Sequence, residues 1–289
     1  MALRIHAVCL ALNEEPFIEE LLKTLYPFCS GISILSQYDR DYHGNQVIPD
    51  QTVQKVLDFP DPDGKLHFVM RRWRDQAPAL NSELLALSTR PARYVQQAAR
   101  PLRETQAFHE PPDYFLVVDA DEIYDVDTFG NILAYLDQHK PRGMRVLGYN
   151  YVRTWNRRVP KETVYFCQFG FVRPGVLFKH RRYVGWNESR LSKLLHILRL
   201  PDFSARLFGF MYCPEEVGVF HHGSWLGSEE RLKSKLTKNT YPVTKGPPGY
   251  WTPETYIQRI DAIKTVFVPR GQLPRNIREG NWPQHFFED

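Results

Sequence analysis

The sequence predicts an α/β fold: a mixed, mostly parallel sheet flanked by helices, followed by a C-terminal helical and loop extension. Three observations carry this reading. Short apolar runs alternate with segments of helical spacing through the first half, the pattern of parallel strands joined by crossover helices. The run Tyr114-Phe-Leu-Val-Val118 is continuously apolar, as in a strand covered on both faces. It stops abruptly at Asp119, Asp121 and Glu122, and acids at the carboxyl end of such a strand lie where open α/β sheets bind ligands.

Ile5 to Leu12 reads as the first strand. Asn13-Glu-Glu-Pro16 then opens a helix with Phe17, Ile18, Leu21, Leu22 and Leu25 on one side. Gly31 to Ser36 and Leu66 to Met70 are the next strands, Ala79 to Leu87 carries helical spacing, and Tyr114 to Val118 is the strand that ends in acids. Asp39 to Asp50 and Pro91 to Pro112 look irregular, at lengths typical of functional loops. Asp127 to His139 is expected to be helical and Arg145 to Tyr149 a strand. The Tyr, Phe and Val runs between Tyr149 and Trp186 suggest antiparallel strands. Prolines punctuate the remainder and leave room for short helices, clearest at Ser228 to Lys238 and Pro253 to Lys264.

A chain of 289 residues with 43% hydrophobic content suffices for one large α/β domain or a domain with an appendage. No run approaches the ~18 apolar residues of a membrane span, and Arg4 and His6 make the first apolar run a core strand rather than a secretory leader. Cys9, Cys29, Cys167 and Cys213 form no C-x-x-C pair and read as thiols of a reducing compartment, so a cytoplasmic location is expected. Net charge is +4, with basic clusters at Arg71 to Arg74, Arg157-Arg158, Lys179 to Arg182 and Arg231 to Lys238. Such clusters suit a phosphorylated small molecule or an anionic membrane surface. The helix-like Glu229 to Lys238 reads as a solvated basic face. No nucleic-acid motif is present, and no nucleic-acid partner is expected.

Four constellations could carry chemistry. Asp119 and Asp121 place hard oxygen ligands at i and i+2, suited to Mn²⁺ or Mg²⁺ and through it to a diphosphate; the alternative is that these acids open the next helix. Ser36-Gln-Tyr-Asp39 could stack on and hydrogen-bond a base, or form an ordinary turn. In Val219-Phe-His-His-Gly-Ser-Trp225, His221 or His222 could complete the metal site. Glu188 sits beside Trp186, where burial would raise its pKa and suit it to general-base work; pairing with Arg190 or Arg182 is the competing role. At the end of the first strand, Asn13 reads as an N-cap.

In this order these segments resemble the GT-A-fold (Rossmann-like) glycosyltransferases, most closely the family 2 type. Leu12-Asn-Glu-Glu-Pro-Phe-Ile18 matches that family's strand-to-helix turn, and Asp75-Gln-Ala-Pro-Ala-Leu-Asn81 its segment approaching the nucleotide. Asp119-Ala-Asp121 matches the D-x-D signature, Val184 to Glu188 the segment ending in the base, and Val219-Phe-His-His222 the late metal histidine. The resemblance covers residues 3 to about 225. It implies a glycosyltransferase domain over 1–226, with a nucleotide-sugar half (1–125) and an acceptor half (126–226), and a helical extension over 227–289. It further implies that Leu12, Asn13, Glu15, Asp39, Asp75, Asn81, Asp119 and Ala120 meet a nucleotide-sugar donor, with UDP favoured. By the same resemblance Asp121, with Asp119 and His221 or His222, holds Mn²⁺ or Mg²⁺, and Glu188 deprotonates a saccharide or lipid-linked acceptor with inversion. A peripheral membrane contact fits a lipid-linked acceptor. Two departures stand out: the second strand lacks the family's Asp-Asp/Ser-Thr run, and Trp186-Asn187 replaces its common Val-His. The rival classes are a metal-dependent phosphohydrolase or nucleotidyltransferase and a non-catalytic module for anionic glycans. Glu122-Ile-Tyr after the acids departs from the D-x-D-x-T order of the phosphatase version.

Overall fold

Four parallel strands form one half of the sheet: β1 (Ile5–Leu10), β2 (Gly31–Ser36), β3 (Leu66–Met70) and β4 (Tyr114–Asp119), in the order β3-β2-β1-β4. The computed structural model describes residues 3–37, 46, 48–71, 73, 76–89, 111–160, 166–180, 183–184, 209–238 and 252–287. β1 and β2 are buried along their whole length, as continuous apolar runs inside a covered sheet should be. Helices α1 (Glu15–Leu25), α2 (Thr52–Asp58) and α3 (Gln76–Thr89) follow the first three strands. Phe17, Ile18, Leu21, Leu22 and Leu25 of α1 are all fully buried, so its apolar side is the one its spacing foretold. α3 lies over β1 and β2 across a buried polar group. Ser33 Oγ donates to Glu83 Oε1 (2.7 Å) and lies 2.9 Å from His6 Nε2, and the His6 ring stacks on His67 at 6.0 Å.

Beyond β4 the sheet becomes mixed. β5 (Glu122–Tyr124) leads to helix α4 (Phe129–His139) and the eleven-residue β6 (Gly143–Arg153), with β7 (Arg157–Arg158) folding back on it. β8 (Phe166–Val172) runs antiparallel between β4 and β6, as the aromatic pattern after Tyr149 suggests. β9 (Phe178–His180) and β10 (Tyr183–Val184) form a separate hairpin. β11 (Phe210–Tyr212) and β12 (Phe220–Leu226) pair parallel with β6, and β12 also takes β5 antiparallel. The architecture is thus the α/β, mixed and mostly parallel sheet that the sequence predicts.

After β12 come α5 (Glu229–Lys238), α6 (Pro253–Asp261), β13 (Val266–Phe267) and α7 (Arg275–Glu279). Thr252 and Thr255 form a capping box that starts α6. Leu232 of α5 is fully buried among Val152, Val159, Tyr256, Ile257 and Ile260, which fixes α5 against α6 and the end of β6. The last described segment packs into the main core. Trp282 and Phe286 each lie 5.7 Å from the Phe17 ring, Trp282 is 5.3 Å from Trp155, and the Trp155 backbone N–H donates to the Phe286 carbonyl. Asn276 Nδ2 reaches Thr24 Oγ1 (3.0 Å) and the Tyr124 carbonyl (2.8 Å). Trp282 and Phe286 are therefore packing residues of the main core. Among the described residues, no helix is long and apolar enough to cross a membrane.

Candidate functional site

β1 and β4 are parallel neighbours in the register Leu10↔Asp119, so the turn leaving β1 and the acids leaving β4 meet at one sheet edge. Glu122 does not open a helix there. It is fully buried, and its Oε2 accepts the Asp119 N–H at 3.0 Å, closing the turn between β4 and β5. β5 pairs with β12 in the register Glu122↔His222, and the Gly223 N–H donates to the Asp121 carbonyl at 2.8 Å. Asp121 is thereby held against His222 across a chain separation of about a hundred residues.

The Asp121 carboxylate is 5% exposed and meets His222 and Lys235. His222 Nε2 lies 3.6 Å from Oδ1, and the Lys235 ammonium bonds Oδ2. The same ammonium lies 3.2 Å from Glu14 Oε1, and Arg231 Nη2 lies 3.5 Å from Glu14 Oε2. Arg231 is held by the Leu226 carbonyl (2.5 Å) and lies over the face of Phe17 at 4.8 Å. His222 Nδ1 is 2.8 Å from Asn150 Oδ1, which anchors the ring with its Nε2 towards Asp121. Burial pushes the Asp121 carboxyl up, but Lys235 and then His222 override it and hold the group well below the usual carboxylate range. Burial raises Glu14, with Lys235 opposing and Asp121 adding to the rise. For Lys235 burial works against the charge, yet Asp121 and Glu14 keep its pKa above the ordinary lysine value.

The strand period of two separates the adjacent histidines. His222 faces Asp121, whereas His221 Nδ1 lies 2.7 Å from the Tyr151 hydroxyl and its ring sits against Tyr149 and Tyr151. Burial, then Arg158, lowers the His221 pKa to about 3. Of the two, His222 is the one placed for Asp121. At the β1 turn the carboxylate that joins the site is Glu14, not Glu15, whose side chain pairs with Lys55 at 2.6 Å. Asn13 takes a left-handed φ of +54° and donates to the Ile48 carbonyl (2.7 Å), so it shapes the turn and does not cap α1. Leu12 follows β1 at the same edge, partly buried; Ala120 is buried in the Asp119–Asp121 turn, and Asp119, which ends β4, is partly exposed. Asn81 exchanges two hydrogen bonds with the Phe178 backbone (2.7 and 2.8 Å) and ties α3 to β9. Asp39, Asp75 and Glu188 lie outside the described residues.

Glu14, Asn150, Arg231 and Lys235 are site residues that sequence reasoning missed. Arg231 and Lys235 are four apart on one helix, hence on one face, which is the signal that could have singled them out. Asn150, lone among the tyrosines of β6, is a weaker one. Asp121 and His222 are chemically suited to a divalent cation, one carboxylate and one imidazole with its second nitrogen anchored. In the conformation described, the Lys235 ammonium holds Asp121 Oδ2, while Oδ1 faces His222. Among the described residues no group of three or more His, Cys, Asp or Glu side chains is arranged to hold a metal ion.

No family model and no curated protein sequence matches the chain. Among solved structures it is similar to S. aureus TarS 1-349, at 13% identity and a TM-score of 0.37 over 89% of this chain and 69% of that one. The same piece in complex with UDP-GlcNAc gives 13% and 0.37 over 89% and 70%. S. aureus TarS gives 14% and 0.35 over 90% of this chain and 42% of that chain. Likenesses this distant say nothing of what the chain does.

Proposed function

We propose that this chain is a glycosyltransferase that moves a sugar from a nucleotide diphosphate sugar, with UDP as the favoured nucleotide, to a hydroxyl of a saccharide or lipid-linked acceptor. The observation that supports it most is the meeting of Asp121, His222 and Glu14 with two cationic side chains at the carboxyl edge of a parallel sheet. A departing diphosphate gathers negative charge, and fixed cations beside it lower the barrier more than they stabilise the ground state. Lys235 and Arg231 can supply that field. A divalent cation, when bound, would add Lewis-acid neutralisation of the leaving phosphates, and Asp121 and His222 are the residues that would hold it. Asn150 would orient His222, and Asp119 and Leu12, at the same sheet edge, would meet the donor's ribose or sugar. Glu188 is the proposed base; attack opposite the leaving group would invert the anomeric centre. Cys9, Cys29 and Cys213 are buried cysteines, in keeping with a proposed cytoplasmic location.

Thermal melting against a panel of nucleotide sugars with Mn²⁺ is the primary test, since a ligand of the native state raises the melting temperature. One donor class is expected to stabilise the chain, and no stabilisation by any of them would overturn the transferase reading. Calorimetry of UDP with Mn²⁺ then compares the chain with Asp121→Ala. Equal metal-dependent affinity in both would remove Asp121 as a ligand. Glu188→Gln with undiminished turnover would remove it as the base.

A further inference from the structure

Lys235 holds one oxygen, Oδ2, of the carboxylate on which a metal at Asp121 would depend, beside the Oδ1 that faces His222. Its ammonium bonds Asp121 Oδ2 and lies 3.2 Å from Glu14 Oε1, on a side chain only 12% exposed. Lys235 and Arg231 offset the charges of Glu14 and Asp121. A metal placed against Asp121 beside the ammonium would face a like charge in a poorly solvated setting. The helix carrying Lys235 does not easily retreat, because Leu232 is fully buried and Arg231 is tied to the Leu226 carbonyl. The lysine stem, with its four rotatable methylenes, is the part that can move.

We propose that Lys235 is a resident cation that keeps a divalent metal off Asp121 until a diphosphate arrives to take its ammonium. This rests on the reading above that the site receives a nucleotide diphosphate. An ammonium leaving two buried carboxylates needs another anion, and a diphosphate is an anion of suitable charge that arrives at the same edge. Metal and nucleotide therefore bind with positive coupling, each raising the affinity of the other by the same factor. The lysine makes an empty site indifferent to free metal and a donor-loaded site receptive to it.

The test is Mn²⁺ binding to the whole chain, measured by calorimetry and by the electron paramagnetic resonance of free Mn²⁺, without nucleotide and then with UDP or inorganic pyrophosphate. The wild-type chain is expected to bind Mn²⁺ weakly alone and at least roughly tenfold more tightly with UDP, within the usual range of coupling. Lys235→Met is expected to gain about tenfold in affinity for Mn²⁺ alone and to lose most of the coupling. Lys235→Arg, which keeps the charge, is expected to behave as wild type. Equal Mn²⁺ affinity of the wild type with and without UDP overturns the proposal. So does a Lys235→Met protein with a normal circular dichroism spectrum and no gain. Should Lys235→Met fail to fold, Lys235→Gln is read in its place, and no gain in its affinity for Mn²⁺ alone overturns the proposal. Failure of the transferase reading looks different: no protein binds UDP, while Lys235→Met still gains affinity for Mn²⁺ alone and pyrophosphate still couples in the wild type.

Discussion

Gly223→Ala is the substitution that ties the core most directly to the site. A Cβ at position 223 would lie 2.5 Å from Phe17 Cε1, 3.0 Å from Cζ and 3.1 Å from Leu226 Cδ1. Ordinary carbon contacts begin near ~3.5 Å, so ring or strand must give by about 1 Å. The ring has little room. Phe17 is fully buried, with Trp282 and Phe286 both at 5.7 Å and the Arg231 guanidinium over its face. Overpacking of this kind costs about 1–3 kcal/mol, and the boxed ring places the expectation at the upper end. If β12 yields instead, the Gly223 N–H withdraws from the Asp121 carbonyl and carries His222 with it, so UDP affinity with Mn²⁺ falls as well. Urea unfolding followed by circular dichroism reads the first effect as a lower midpoint at unchanged slope. The double variant Phe17→Leu, Gly223→Ala is expected to recover part of the loss, a coupling that independent sites would lack. A Gly223→Ala midpoint equal to wild type would refute the packing described.

Three further outcomes are expected. Phe286→Ala removes a fully buried ring from the Phe17 cluster and is expected to cost about 3–5 kcal/mol in urea unfolding, whereas a loss under ~1 kcal/mol would mean that the last described segment is not part of the core. His6 and His67 are kept neutral by burial, His67 with a pKa lowered to about 4 and His6 well below its ordinary value. The unfolded chain protonates both below ~6.5 and the folded chain does not, so stability falls as pH drops from 6.5 towards 4, by up to about 1.4 kcal/mol per pH unit for each; denaturant titrations showing no loss between pH 7 and 5 would contradict this. Asn150→Leu takes the acceptor from His222 Nδ1 and is expected to lower calorimetric Mn²⁺ affinity in the presence of UDP by roughly 10–100-fold.

Much of the scaffold was legible because its signals are local. Gly31 to Ser36 and Leu66 to Met70 are strands at the residues read from the sequence, and the buried side of α1 follows from its spacing. The site was legible only in part, since its members meet through long-range pairing. Which of His221 and His222 faces Asp121 depends on the register of β12 against β5, which no run of residues 219–225 encodes by itself. Glu14 rather than Glu15 meets Lys235 and Arg231, at a turn where Asn13 adopts a left-handed φ, a conformation open to asparagine but not signalled by its neighbours. Glu229 to Lys238 reads as a solvated helix by composition. It is a site element because Lys235 finds its partner 114 residues away.

The contact between Phe17 and Phe286 also sets an order of events during synthesis. The two rings lie 269 positions apart in the chain and are neighbours in the core. At ~5–20 residues per second, α1 emerges on the order of ten to fifty seconds before the segment that covers it. Through that interval Phe17 lacks part of its final cover, and the arginine that rests on its face is not made until position 231 is reached. The turn bearing Glu14 therefore acquires its final support late, so the site is completed only after most of the sheet has been synthesised.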